Sequence, residues 1–185
     1  MKNIITLIVL ILVPLISMGQ SQINIEKSNI KWTGKKITNA SHWGSLSFIE
    51  ANLVFDGTDL TEGNFVVDMS SITVDDIQGR GKERLEKHLK DDDFFSVYKF
   101  DKAFLKFKNK SKLVDGKYDI NGELTIKGIT NPVVFTLIPG DGNYIANLTF
   151  DRIKLDVTYN SGSFIENLGD RLILDEVELE VSLVY

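Results

Sequence analysis

The chain has 185 residues, no cysteine, 21 basic against 26 acidic residues and a formal net charge of −5. That length points to one domain, large enough to bury a core without covalent staples. The missing cysteine excludes a disulfide framework, thiol catalysis, iron–sulfur clusters and thioether lipidation, and the dispersed charges give no footprint for nucleic acid and no polybasic membrane stretch.

At the N-terminus, Lys2 precedes an apolar run from Ile4 to Ile16, broken only by Thr6 and Pro14. The run is shorter than the roughly 20 residues a membrane helix needs. With the small residues Ser17 and Gly19 after it, it reads as a secretory signal cut after Gly19. The expected division is a removable segment 1–19 and a mature domain 20–185, periplasmic or secreted.

Period-two alternation then recurs, the signal of half-buried strands. Strands are predicted near 30–37 and 44–55. Phe65, Val67 and Met69 mark the next, Ala103, Leu105 and Phe107 another, and Tyr118, Ile120, Leu124 and Ile126 a fifth. Two more are expected near 132–138, carrying Phe135, and 144–156, carrying Phe150. The last puts Val177, Leu179, Val181 and Leu183 on one face and Glu176, Glu178 and Glu180 on the other. Asp56-Gly57, Asp115-Gly116, Lys127-Gly128 and the run Pro139-Gly140-Asp141-Gly142-Asn143 mark tight reversals, so neighbouring strands are antiparallel.

One segment breaks the alternation. Over 78–90, Leu85, His88 and Leu89 take helical spacing, with Glu83–Lys87 and Glu86–Lys90 set for i,i+4 ion pairs. Asp91, Asp92 and Asp93 oppose the macrodipole and end the helix; Phe94 and Phe95 then turn inward as an apolar plug. The fold class is all-β: an extended eight-stranded antiparallel barrel, with one short helix between strands three and four. Eight strands is the number at which a closed sheet is filled by its side chains or holds one slim ligand.

Catalytic signals are sparse. His42 and His88 lie in different elements without metal-ligand spacing, and no nucleophile elbow, phosphate loop or dinucleotide fingerprint is present. Neither a metal nor a cofactor is expected. The aspartate triplet lacks the spaced oxygens of a calcium loop and reads as a solvated turn. His42 reads either as a loop residue bonded to its neighbours or as a polar group at a cavity mouth. Trp32 and Trp43 read as core anchors or rim aromatics.

Several pieces, in order, resemble one family. They are Trp32-Thr33-Gly34-Lys35, His42 two before Gly44, the run Gly63 through Ile72, and His88-Leu89-Lys90 with Asp93-Phe94-Phe95. Leu124 through Thr130, Asp151-Arg152, Tyr159 through Phe164, and Leu168-Gly169-Asp170 complete the set. Together they resemble the YceI-like lipid/polyisoprenoid-binding proteins over about 28–184. The resemblance implies a lipocalin-like barrel with a helix beside its mouth, in an exported soluble protein without catalytic activity. Its tunnel would hold a long-chain isoprenoid or similar amphiphile, a quinone among them, for transport or storage. The chain departs from the pattern at Asn39-Ala40-Ser41, which lengthens the loop before His42.

On that reading the tunnel wall is Phe65, Val67, Met69, Leu105, Phe107, Leu124, Ile126, Phe135, Phe150 and Leu179, each inward by strand parity. His42, Trp43, Phe94 and Phe95 stand at the mouth, and Trp32, as core anchor or rim aromatic, joins the ligand-binding set. An exposed edge or mouth patch leaves a homodimer open. Two other readings stay in view. An integral eight-stranded outer-membrane barrel would need its apolar faces outward and the Glu176–Glu178–Glu180 face inside. An enzyme acting on a lipophile would have only His42 with Asp68 or Arg152 as an acid–base set.

Overall fold

The computed structural model describes residues 18–185; the predicted signal segment lies almost wholly outside the described residues. Among the described residues nine strands form: β1 (Met18–Gln22), β2 (Asn29–Lys36), β3 (Ser41–Asp56), β4 (Asp59–Asp68), β5 (Lys102–Ser111), β6 (Tyr118–Ile126), β7 (Ile129–Pro139), β8 (Asn143–Asp151) and β9 (Ile173–Val184). Helix α1 (Arg80–Lys90) lies between β4 and β5.

Strands β2 to β9 close into an eight-stranded antiparallel barrel, in the order β3-β2-β9-β8-β7-β6-β5-β4, with β4 pairing back onto β3. The additional strand β1 pairs Met18–Gln22 with the far part of β3, beyond the stretch that β2 occupies. Two turns are two-residue reversals with positive φ at both central residues, Asp115-Gly116 (50° and 75°) and Lys127-Gly128 (52° and 74°). That conformation matches the strand twist and is easiest for Gly, Asn and Asp.

Parity decides what faces inward. In β6, Tyr118, Ile120, Leu124 and Ile126 are buried, while Asp119, Asn121 and Glu123 are exposed. In β9 the Val177–Leu183 row turns inward, and Glu178 and Glu180 turn outward to Lys35 and Lys31. This is the inverse of the arrangement a membrane barrel requires. Among the described residues, no helix is long and apolar enough to cross a membrane.

Some predicted elements change at their ends. The 144–156 strand stops at Asp151, whose carboxylate accepts from Ile153 N–H at 3.0 Å and starts a 3-10 turn over Arg152–Leu155. Met69 likewise falls in a 3-10 turn (Met69–Ser71), because Asp68 accepts from Ser70 N–H at 2.8 Å. On α1, Glu86 leaves Lys90 and accepts from Val74 N–H at 2.9 Å, with Lys82 beside it at 3.6 Å; Glu83–Lys87 does not close either. The backbone donor of the 72–76 segment competes for Glu86 and ties the helix to the barrel.

Candidate functional site

The barrel interior is apolar and divided. One chamber of about 100 Å³ lies toward α1, lined by Trp32, Leu46, Val67, Met69, Leu89, Phe94, Phe95, Leu124, Ile126, Phe150 and Val177 among others. A second, of about 70 Å³, lies deeper, lined by Phe48, Leu53, Phe65, Leu105, Phe107, Phe135, Leu148 and Val181 among others. Ile30, Val67, Ala103, Leu124 and Leu179 border both and form the ring between them. Thirteen of the fifteen residues picked from sequence thus line a chamber; His42 and Trp43 do not. Ile30, Ala103, Val177 and Val181 were passed over as wall residues, although their strands carry the same parity signal.

Trp43 is a correction. It stands on the outer wall, 39% exposed, with the Lys31 ammonium 5.5 Å from its ring centroid. Adjacent residues on a strand point to opposite faces, and Gly44 and Leu46 turn inward here, so Trp43 cannot. Trp32 is the buried anchor. Its indole N–H donates to Thr73 O at 3.0 Å. Gly44, paired with Trp32 across β2–β3, leaves room for that approach: a Cβ there would lie 1.8 Å from Thr73 O.

A groove of about 80 Å³ runs beside the first chamber, between α1 and the β2–β3 hairpin. It shares Trp32, Gly34, Leu89, Phe94 and Ile173 with the chamber and adds Lys35, Lys36, His42, Leu85 and His88. His42 Nδ1 sits 2.7 Å from Asp76 Oδ2, and Trp43 N–H donates to Asp76 Oδ1 at 3.1 Å. Burial alone would raise the Asp76 pKa, but the His42 hydrogen bond, the Trp43 N–H and the His42 charge outweigh it and hold the carboxyl below the ordinary aspartate value. An ionised Asp76 orients the imidazole through Nδ1, which leaves Nε2 as the ring's other hydrogen-bonding position. His88 packs edge-on against Tyr159 (4.4 Å between centroids) and Phe94 (5.5 Å), and its Nε2 is buried without a hydrogen-bond partner.

The acid–base set considered from sequence does not assemble. His42 pairs with Asp76, a partner local spacing could not reveal, and Asp68 caps its own turn. Arg152 is 1% exposed and committed to acceptors: Nε to Leu174 O (3.1 Å), Nη1 to Val157 O (2.6 Å), and Nη2 to Ile173 O (3.0 Å) and Asp175 Oδ1 (3.3 Å). Burial lowers its pKa, opposed by the charges of Asp175 and Asp151. Among the described residues it is the one charged residue bordering either chamber, and its charge is spent on structure. Among the described residues, no cluster of three metal-ligating side chains forms.

Residues 22–185 match the YceI-like domain family. A UPF0312 protein of Vibrio parahaemolyticus is 30% identical over 118 residues, 62% of this chain; the chain spans about half, 55%, of that relative's length. Among solved structures, BcnA of Burkholderia cenocepacia superposes with a TM-score of 0.68 at 20% identity, over 89% of this chain and 99% of that one. A polyisoprenoid binding domain from Saccharophagus degradans, implicated in plant cell wall breakdown, gives 0.61 at 12% identity, over 90% and 97%. The Campylobacter jejuni YceI protein gives 0.57 at 15%, over 98% and 90%. At these identities the likeness is one of fold.

Proposed function

Because the chain belongs to the YceI-like domain family, we propose that it is an exported carrier or store for a long-chain isoprenoid or similar amphiphilic lipid. The carrying observation is the interior itself: two adjoining chambers walled by apolar side chains from β2 to β9, with a polar-rimmed groove opening beside them. Apolar burial drives binding, at about 25 cal/mol per Å² before ordering costs. The chain of the lipid lies along Leu124, Leu179 and the phenylalanines, and its head group meets His42, His88 and Lys36 in the groove. Imidazole and ammonium groups suit a hydroxyl, phenol or quinone carbonyl. The Saccharophagus degradans domain of the same fold, named for polyisoprenoid binding, supports that ligand class.

The test is extraction. The full-length chain is expressed in an exporting bacterial host, purified without detergent, extracted with organic solvent and analysed by mass spectrometry against a mock purification. A stoichiometric isoprenoid or quinone is expected, on a protein whose N-terminal sequence starts at Gln20. Detergent-free protein that carries no lipid and takes up none when offered isoprenoids overturns the reading.

A further inference from the structure

The chambers, at about 100 and 70 Å³, are small beside the roughly 300–1,000 Å³ of ordinary ligand pockets. A long isoprenoid chain overfills them. The barrel wall offers that chain a way onward.

Strands β5 and β6 pair through three residue pairs only, Phe104–Thr125, Leu105–Leu124 and Lys106–Glu123. Past Lys106 the ladder stops, although the strands stay side by side: a Cβ on Gly122 would lie 3.1 Å from Lys106 O, and the Ser111 hydroxyl donates to Asp119 O at 2.9 Å. Backbone groups freed from a ladder need other partners or water. Outside this seam lies a groove of about 660 Å³ whose apolar lining is Gly63, Phe107, Gly122 and Pro132; its other lining residues are charged or amide-bearing, with Lys108 paired to Glu62 at 3.2 Å. Lysine stems cover apolar surface while their charged ends stay in water.

Phe107 is the residue common to this outer groove and the deeper chamber. Its inward neighbours on β4 and β6 are glycines. A Cβ on Gly63 would lie 2.2 Å from the Phe107 ring, so the ring rests across that position. Asn109, next inward on β5, holds a buried side-chain oxygen without a partner at the same seam. The β7–β8 seam is also short, four pairs, but Asn131 donates across it to Lys154 O at 2.6 Å and the buried Leu155 fills it. No such strap covers Phe107.

We propose that Phe107 sets the length of chain the protein accepts, by closing a slit between β5 and β6 through which a longer chain runs out of the deeper chamber into the outer groove. This rests on the carrier reading above. A short chain ends inside the chambers. A long chain must displace the ring or stop.

The test titrates the delipidated full-length chain with geraniol, farnesol, geranylgeraniol and solanesol, by displacement of a fluorescent apolar dye. In the native protein, affinity climbs with chain length and levels off at one prenol. Phe107→Ala moves that plateau to a longer prenol, gaining about tenfold or more for each isoprene unit past the native limit, relative to its own affinity for geraniol. Phe107→Leu, milder for the fold, moves it the same way by less. A second test leaves Phe107 in place. Continuing the β5–β6 register puts Lys108 opposite Asn121. In this cysteine-free chain, a Lys108→Cys/Asn121→Cys disulfide seals the slit: oxidation weakens the longest bound prenols about tenfold or more, spares geraniol, and is reversed by dithiothreitol. Length profiles identical in the native protein, the Phe107 variants and both redox states of the double variant overturn the proposal and leave the carrier reading standing. A native chain that binds no prenol of any length overturns the carrier reading, and this one with it.

Discussion

Replacing Arg152 by Met removes a guanidinium that holds the irregular 152–157 segment to the start of β9. The side chain is 1% exposed and donates to three carbonyls and to Asp175. Truncating one partner of a buried ion pair costs about 3–5 kcal/mol, because the other charge and its acceptors stay behind. Here Asp175 keeps 27% of its side chain exposed, so water relieves part of that charge. Val157, by contrast, is wholly buried, and its carbonyl is left without its donor, at about 1–3 kcal/mol. Methionine restores most of the apolar stem. The expected loss is about 3–4 kcal/mol, a large share of the roughly 5–15 kcal/mol such domains possess. Urea unfolding followed by fluorescence reads it as a midpoint lowered by about 1–3 M at unchanged slope. Arg152→Lys separates geometry from charge. Lysine keeps the charge but presents a point donor that cannot reproduce the fork, so it recovers less than half the loss. A methionine variant within about 1 kcal/mol of the native protein, or a lysine variant equal to it, refutes the reasoning.

Three further outcomes are expected. Leu124→Arg sets an unpaired cation on the ring shared by the two chambers; it lowers stability by about 2–4 kcal/mol and removes bound lipid, and unchanged lipid in the folded fraction counts against the inward wall. Gly44→Ala forces a methyl against backbone that cannot rotate away, 1.8 Å from Thr73 O, and lowers stability by about 2–3 kcal/mol; a native-like melting temperature shows that the 72–76 segment yields easily. Asp76 has a lowered pKa in the folded protein. Its stabilisation is therefore present above the ordinary aspartate value of about 3.9 and is lost as pH falls through the lower folded value. Asp76→Asn lacks that term, so its stability falls less steeply below about pH 4; parallel acid curves for the two proteins contradict the assignment.

The barrel was legible because its code is local. Alternation in β6 and β9 fixes which face is buried, and dipeptides such as Lys127-Gly128 fix antiparallel neighbours without knowledge of distant residues. The misreadings come where a contact across the fold decides. His42 and Asp76 lie 34 positions apart, and no local pattern announces their pairing. Glu86 has Lys90 one turn away but is taken by Val74 N–H, which only the folded 72–76 segment presents. The register shift between Phe48 and Glu50 moves the inward set of β3 from Gly44, Leu46 and Phe48 to Ala51 and Leu53, and leaves Ile49 45% exposed. A bulge inserts one residue and inverts the parity beyond it. Constant alternation over 44–55 could not show that.

Interior volume is a third kind of property, neither local nor a single contact. A run of rings crosses the wall, Phe48 to Phe65 at 6.2 Å, Phe65 to Phe107 at 6.5 Å and Phe107 to Phe135 at 6.4 Å. The space between them depends on how four rings from β3, β4, β5 and β7 are turned at once. Driving one side chain off its preferred rotamer costs about 0.5–1.5 kcal/mol, whereas burying one five-carbon isoprene unit is worth about 4 kcal/mol at 0.8 per carbon. The ligand term exceeds the ring term several-fold, so an entering chain turns the rings and makes its own room. Resistance therefore concentrates where a ring has no free space to turn into. Phe107 is such a ring: it already rests across Gly63, where a Cβ would lie 2.2 Å from it, so the room that glycine leaves is taken and an entering chain meets its stiffest barrier there.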